Sequence, residues 1–227
     1  MKEFLNIKTN EIELRKLKES YFDHLIRQEH YLHRANSTQP AIHYGFYYED
    51  QLVALQEWSA IFKPILLRFP FVHHLEIVDN SRFLVRKEEL REFNLFAESI
   101  PNIYNLGSRC LSIGIKNIIK DWFETTNIKL RLLITYIDIE RGYNGTVYKA
   151  SNWKEIENSA GKNLTKNPKK GGTVLIDYKP TPKKTFIYRL DKSFRCNPVT
   201  KFKNVFLKRH WKELNSVAQY NYKPKKG

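Results

Sequence analysis

The sequence predicts an α+β domain, close to α/β in character, with a mixed central sheet flanked by helices. Three observations carry this. Residues 42–48 and 52–62 are two apolar-rich runs separated only by Glu49-Asp50-Gln51, the mark of a hairpin. Leu106, Cys110, Ile115, Ile118 and Trp122 recur at spacings of three to five and form the apolar stripe of a core-facing helix. Arg131-Leu-Leu-Ile-Thr-Tyr-Ile-Asp138 is almost continuously apolar, as in a strand covered on both faces.

The other elements fit around these three. Residues 11–17 read as a short strand or helix entry, and residues 19–30 as a helix with Tyr21, Leu25 and Gln28 at helical spacing. Pro64 and Pro70 mark a loop, residues 75–85 a third strand, and residues 88–98 a short acidic helix. Gly142 and Gly145 lead into a short helix over 146–151. A Gly-, Lys- and Asn-rich loop over 159–172 follows, then strands at 174–178 and 185–190. The alternation of helices and strands predicts a mixed sheet with helices packed on it. We place one domain over residues 1–200 and a basic, aromatic tail over 201–227, with a helix near 205–214.

Composition narrows the function. The chain has 227 residues, 41% of them hydrophobic and 14% aromatic, so it has the material for a packed core and is not a disordered polyanion binder. It contains no 18-residue apolar run, and Met1-Lys2-Glu3-Phe4-Leu5-Asn6 is not a signal peptide, so a cytoplasmic location is expected. Cys110 and Cys196 have no partners at metal-ligand spacing, which excludes a zinc knuckle; Cys110 reads as a core residue. The net charge of +15 is unevenly placed: residues 1–148 carry 19 Lys and Arg against 19 Asp and Glu, and residues 149–227 carry 20 against 5. A basic third on a neutral body points to a polyanion. With no good amphipathic basic helix or lipidation signal, nucleic acid, DNA or RNA, is the expected polyanion rather than a membrane.

Three segments depart from what simple connectors and strands need. They are Glu29-His-Tyr-Leu-His-Arg34; Asp79-Asn-Ser-Arg-Phe-Leu-Val85 with Pro101-Asn-Ile-Tyr-Asn-Leu-Gly-Ser108; and Tyr136-Ile-Asp138 with Gly142-Tyr-Asn-Gly-Thr-Val-Tyr148-Lys-Ala-Ser-Asn152-Trp153. The first and third resemble the Mom family of DNA-modification proteins. Asn80-Ser-Arg-Phe-Leu84, Asn105-Leu106, Asp121-Trp122 and Gly145 to Trp153 also resemble the domain of the Druantia anti-phage system. Together these likenesses span roughly residues 25–190. They imply a GNAT-like fold. For Mom they also imply acyl-CoA-dependent (acetyl-CoA or a related thioester) modification of adenine in DNA, involvement of iron, and a role in phage or mobile-element protection.

On that reading, Asn105, Gly107 and Ser108, at the start of the long helix, are expected to receive a CoA pyrophosphate on backbone N–H groups. Tyr148 is expected to protonate the leaving thiolate, or else to be a core tyrosine with its hydroxyl at the rim. Asp138 accepts a proton or caps a turn, Arg82 meets substrate or pairs with Asp138, and Tyr31 joins them as a catalytic candidate. His30 and His33, three apart, are weak metal candidates if helical, with Asp138 or His43 completing an iron site. Nucleic acid is assigned to His30, His33, Arg34, Lys149, Asn152, Lys169, Lys170, Lys183 and Lys184. Cations there meet phosphates, and the interleaved aromatics offer faces to bases. The alternative is a catalytically idle GNAT-like module that binds DNA.

Overall fold

A computed structural model describes residues 5–33, 36, 38–61, 73–86, 103–159 and 183–191. A 3₁₀ turn (Thr9–Glu11) leads into β1 (Glu13–Lys16) and α1 (Glu19–Glu29). Then come β2 (Ala41–Tyr48), β3 (Gln51–Ala60), β4 (Ile77–Val85), α2 (Leu106–Thr126), β5 (Leu132–Asp138), α3 (Thr146–Ala150), β6 (Lys154–Ser159) and β7 (Lys183–Arg189). The seven strands form one sheet in the order β1-β2-β3-β4-β5-β7-β6. β4 and β5 pair in parallel; every other pairing is antiparallel.

Local chemistry accounts for these elements. The β2–β3 hairpin closes on Glu49 and Asp50, both at positive φ (48° and 61°), the backbone that matches strand twist in a two-residue turn. The stripe read from sequence is the buried side of α2, including Leu106, Cys110, Leu111, Ile115, Ile118 and Trp122. α2 stops at Asn127, whose left-handed backbone (φ 58°) returns its N–H to the Phe123 carbonyl at 2.7 Å. Polar clamps fix its far end. Tyr44 donates to Asp121 at 2.5 Å, Lys16 pairs with Asp121 at 2.7 Å, and Trp122 Nε1 donates to the Leu75 carbonyl at 2.8 Å.

The two faces of the sheet have different covers. Tyr44, Phe46, Trp58, Val78, Leu133, Ile137 and Phe186 pack with α2 on one. Leu52 and Leu55 pack with Phe22, Leu25 and Ile26 of α1 on the other. Gly114 lets α2 approach β3, because a Cβ there would sit 1.9 Å from Oε1 of the buried Gln56.

Compared with the sequence expectation, β6 is new. Its Lys-Glu-Ile-Glu-Asn-Ser run shows no apolar alternation because it lies at the edge of the sheet, paired on one side by β7. The α+β class is as expected. The expected helices at 88–98 and 205–214, the strand at 174–178, the loop at 159–172 and the tail lie wholly or mostly outside the described residues.

Candidate active site at the strand divergence

β4 and β5 share only three rungs: Ile77 with Leu132, Val78 with Leu133, and Asp79 with Ile134. Beyond Asp79 the strands part, because β4 continues along β3 while β5 follows β7. β4 also bulges there. Glu57 pairs with Arg82 and Trp58 with Asn80, leaving Ser81 as the extra residue. The sheet therefore splits at the carboxyl end of its one parallel pair, where open α/β sheets collect their ligands.

The Tyr148 hydroxyl lies at this split, on the α2 side. It is 3.2 Å from the Asn80 amide on β4 and 3.4 Å from the Thr135 hydroxyl on β5. The amide orientation that satisfies Asn80 puts its nitrogen on the Glu57 and Arg82 carbonyl oxygens. Its oxygen then accepts from Tyr148. The ring is fixed by Phe186 (5.8 Å, stacked) and by Trp153 (5.3 Å, edge-on). Burial pushes the phenol above its ordinary pKa; Thr135 opposes this and the Asp79 charge adds to it. Tyr148 is thus a half-buried phenol that keeps its proton.

Asp79, the last residue of the parallel ladder, follows Ile77 on the opposite face. Its Oδ1 is buried without a hydrogen-bond partner among the described residues. Burial, reinforced by the charge of Glu57 and opposed by Arg82 and Lys183, pushes its carboxyl up to about 7. Sequence reasoning marks the segment 79–85 as a whole and misses Asp79 itself; a lone acid in an otherwise apolar strand start is the available signal.

A polar network continues along that face. Glu57, fully buried, accepts from Asn36 at 2.7 Å and from the Ser81 hydroxyl, and faces His43 Nε2 at 3.4 Å. Burial raises the Glu57 pKa, but the hydrogen bonds from His43, Ser81 and Asn36 outweigh it and hold the group below its ordinary value. Ligand atoms of Asp23, His43 and Glu57 lie within 4.8 Å of one another, the group among the described residues that could hold a cation. Two carboxylates and an imidazole fit a divalent ion by donor type, and nothing in the set selects iron.

The expected His30–His33 pairing is corrected. α1 ends at Glu29, His30 leaves it with extended backbone, and His33 has φ 46°, so no helix face carries both. His30 is buried, accepts from the Leu32 N–H at 3.2 Å, and is held down to about 4 by burial and then by Arg82. That buried ring is in no position to meet nucleic acid. His33 is exposed, with Nδ1 3.0 Å from the Arg27 carbonyl.

The remaining candidates divide. Asp138, buried at the end of β5, accepts from the Glu140 N–H at 3.2 Å, so its turn-capping role is real; it also lies 3.9 Å from Arg141. Arg82 donates to the Ser81 carbonyl at 2.6 Å. Tyr31 sits near both: burial and then Asp138 raise its pKa, while Arg82 and Arg141 lower it. Gly107 is buried, and a Cβ there would press on Val147 at 3.0 Å and Val85 at 3.3 Å. Its smallness is therefore accounted for by the packing of α3 on α2, whatever its N–H binds. The Ser108 hydroxyl donates to the Asn105 carbonyl at 3.0 Å. Asn105 is left-handed (φ 54°) and does not cap α2 through its side chain, and the first turn holds no acid.

Comparison with known proteins settles the family. The model of the Mom protein family matches residues 11–225. The chain belongs to the Mom protein family. No curated protein matches it. Among solved structures, spermidine N-acetyltransferase from Vibrio cholerae aligns at 9% identity and a TM-score of 0.43, covering 82% of this chain and 98% of that one. A GNAT family acetyltransferase from Elizabethkingia anophelis, with acetyl-CoA bound, aligns at 11% and 0.43 over 80% and 99%. N-acetyltransferase from Staphylococcus aureus Mu50 aligns at 13% and 0.41 over 79% and 97%. The sheet of this Mom-family chain is a seven-stranded mixed sheet of an α+β fold, split at its parallel pair.

The Mom-family chain presents some of its expected nucleic-acid residues around β6 and β7. Lys149 and Lys184 flank Glu155 at 3.1 and 3.3 Å, Lys183 pairs in register with Asp138, and Asn152 is exposed at φ 62°. Arg34, Lys169 and Lys170 lie outside the described residues. No helix among the described residues is long and apolar enough to cross a membrane.

Proposed function

We propose that this Mom-family protein is a GNAT-type transferase that moves an acyl-derived group from a CoA thioester to an amine of a base in DNA, in phage or mobile-element protection. The observation that carries the reading is the Tyr148 hydroxyl held by Asn80 where β4 and β5 separate, with Asp79 across the sheet. The residues fit the donor. An acyl-CoA bound there supplies its acyl group as a reactive thioester. The first turn of α2, which has neither a side-chain cap nor an acid to repel an anion, would hold the pyrophosphate on its backbone N–H groups.

The chain's own groups then divide the proton work. Asp79, with a pKa of about 7, takes the proton released by the attacking amine. Tyr148 holds a proton at its hydroxyl for the departing sulfur. Burial keeps the phenol protonated in the resting site, so the proton is present when the sulfur departs. The excess of cations after residue 148 supports a polyanionic acceptor.

The test incubates the full chain with isotope-labelled acetyl-CoA and DNA, followed by mass spectrometry of the nucleosides. A labelled base is expected. Unlabelled DNA, with no thermal stabilisation of the protein at millimolar CoA, would overturn the reading.

A further inference from the structure

The turn between β5 and α3 carries Arg141 and Tyr143 to the same edge as Tyr31. Gly142 and Gly145, at φ 76° and 78°, give this turn a course that side-chain-bearing residues rarely follow. The Tyr31 and Tyr143 rings lie 5.6 Å apart at 44°, the Arg141 guanidinium sits 4.7 Å over the Tyr31 ring, and His30 closes the inner end 4.4 Å from Tyr31. Tyr143 remains 49% exposed, and a Cβ on neighbouring Gly142 would meet nothing within 4 Å, so its outer surface is open. Asp138 adjoins this stack, and Tyr31 lies within electrostatic reach of the Tyr148 phenol. An aromatic tier topped by a guanidinium and open to solvent beside a proton-handling centre is unusual for plain turn chemistry. The buried core does not include Tyr143.

We propose that Tyr31, Arg141 and Tyr143 form a stacking platform that receives one unstacked nucleobase at the mouth of the strand divergence. This rests on the reading of the acceptor as a nucleic-acid base and adds the residues that hold it. Reaction at a base needs that base outside the duplex stack, and an aromatic face with a nearby cation recovers part of the lost stacking. Asp138, buried at the end of β5 beside Tyr31, would then accept a hydrogen bond from an exocyclic amine of that base.

The test uses the full chain without any acyl donor and single-stranded DNA or RNA oligonucleotides carrying one 2-aminopurine, followed by fluorescence. Quenching on binding is expected, with affinity about tenfold weaker and the quenching lost in Tyr143→Ala, a scale set by base–aromatic stacking. Tyr143→Trp should restore both, and DNA against RNA distinguishes the natural source of the base. Wild-type quenching in Tyr143→Ala overturns the platform. So does binding without any quenching, even if labelled acetyl still reaches DNA, which would leave the acceptor reading standing. If neither strand binds and no transfer occurs, the acceptor reading fails and the platform fails with it. Tyr143 is exposed, so the variants should fold, and matching melting curves check this.

Discussion

Replacing Gly145 by Ala tests whether the short turn before α3 sets the position of the Tyr148 phenol, the proposed proton donor. Gly145 has φ 78°, so an alanine there adopts a left-handed backbone that costs about 1–2 kcal/mol, offset by about 0.4–1 kcal/mol from the stiffer unfolded chain. The new Cβ would also lie 2.4 Å from Cζ and 2.7 Å from Cε2 of Phe186, and 2.9 Å from Cδ1 of Ile137. Phe186 is fully buried and cannot swing into solvent, so overpacking adds about 1–3 kcal/mol. The total destabilisation is about 2–4 kcal/mol. Gly142→Ala is the matched control: φ is 76° but a Cβ meets nothing within 4 Å, leaving the backbone cost of about 1 kcal/mol alone. Phe186 stacks on Tyr148, so the displacement reaches the hydroxyl; a shift of about 1 Å at a reacting group costs on the order of 100-fold in rate. Denaturant unfolding measures the first effect, and transfer of labelled acetyl to DNA the second. Equal unfolding free energies for the two variants would refute the packing argument. Full activity in a destabilised Gly145→Ala would separate the turn from the site.

Three further outcomes are expected. Tyr148→Phe keeps the ring against Phe186 and removes the proton, so transfer should fall about 100-fold with DNA binding unchanged, and Asp79→Asn should remove a rise in rate centred near pH 7, both read from rate–pH profiles. His30, depressed to about 4 from 6.5, stabilises the fold above pH 6.5. That contribution, on the order of 3 kcal/mol, diminishes as pH falls toward 4, and His30→Gln should flatten the decline in thermal unfolding over that window. Deleting residues 201–227 should weaken DNA binding and make log K against log salt shallower, by about 0.9 for each phosphate the tail no longer neutralises; an unchanged slope would put the phosphate-binding cations on the domain.

Sequence alone determined the elements whose apolar pattern is strong. The α2 stripe, the run of β5 and the β2–β3 hairpin each repeat at the period of their own backbone, so burial and periodicity agree. It also determined the uneven charge and the Tyr148 candidate, since these rest on composition and on the order of short motifs. The polar edge strand β6 stayed hidden because a strand with one neighbour need not alternate. Only the tertiary structure decided the site. His30 and His33 are close in sequence but part where α1 ends, and His30 turns inward. Asn80, Tyr148 and Thr135 are distant in sequence and meet because the parallel pair stops at Asp79 and the strands follow different neighbours. Gly107 shows the same limit: sequence records a small residue at a helix start, while the packing of Val147 and Val85 supplies the reason. A residue's chemistry is carried by its type, but its partners depend on contacts across the sheet, and a linear pattern does not encode those.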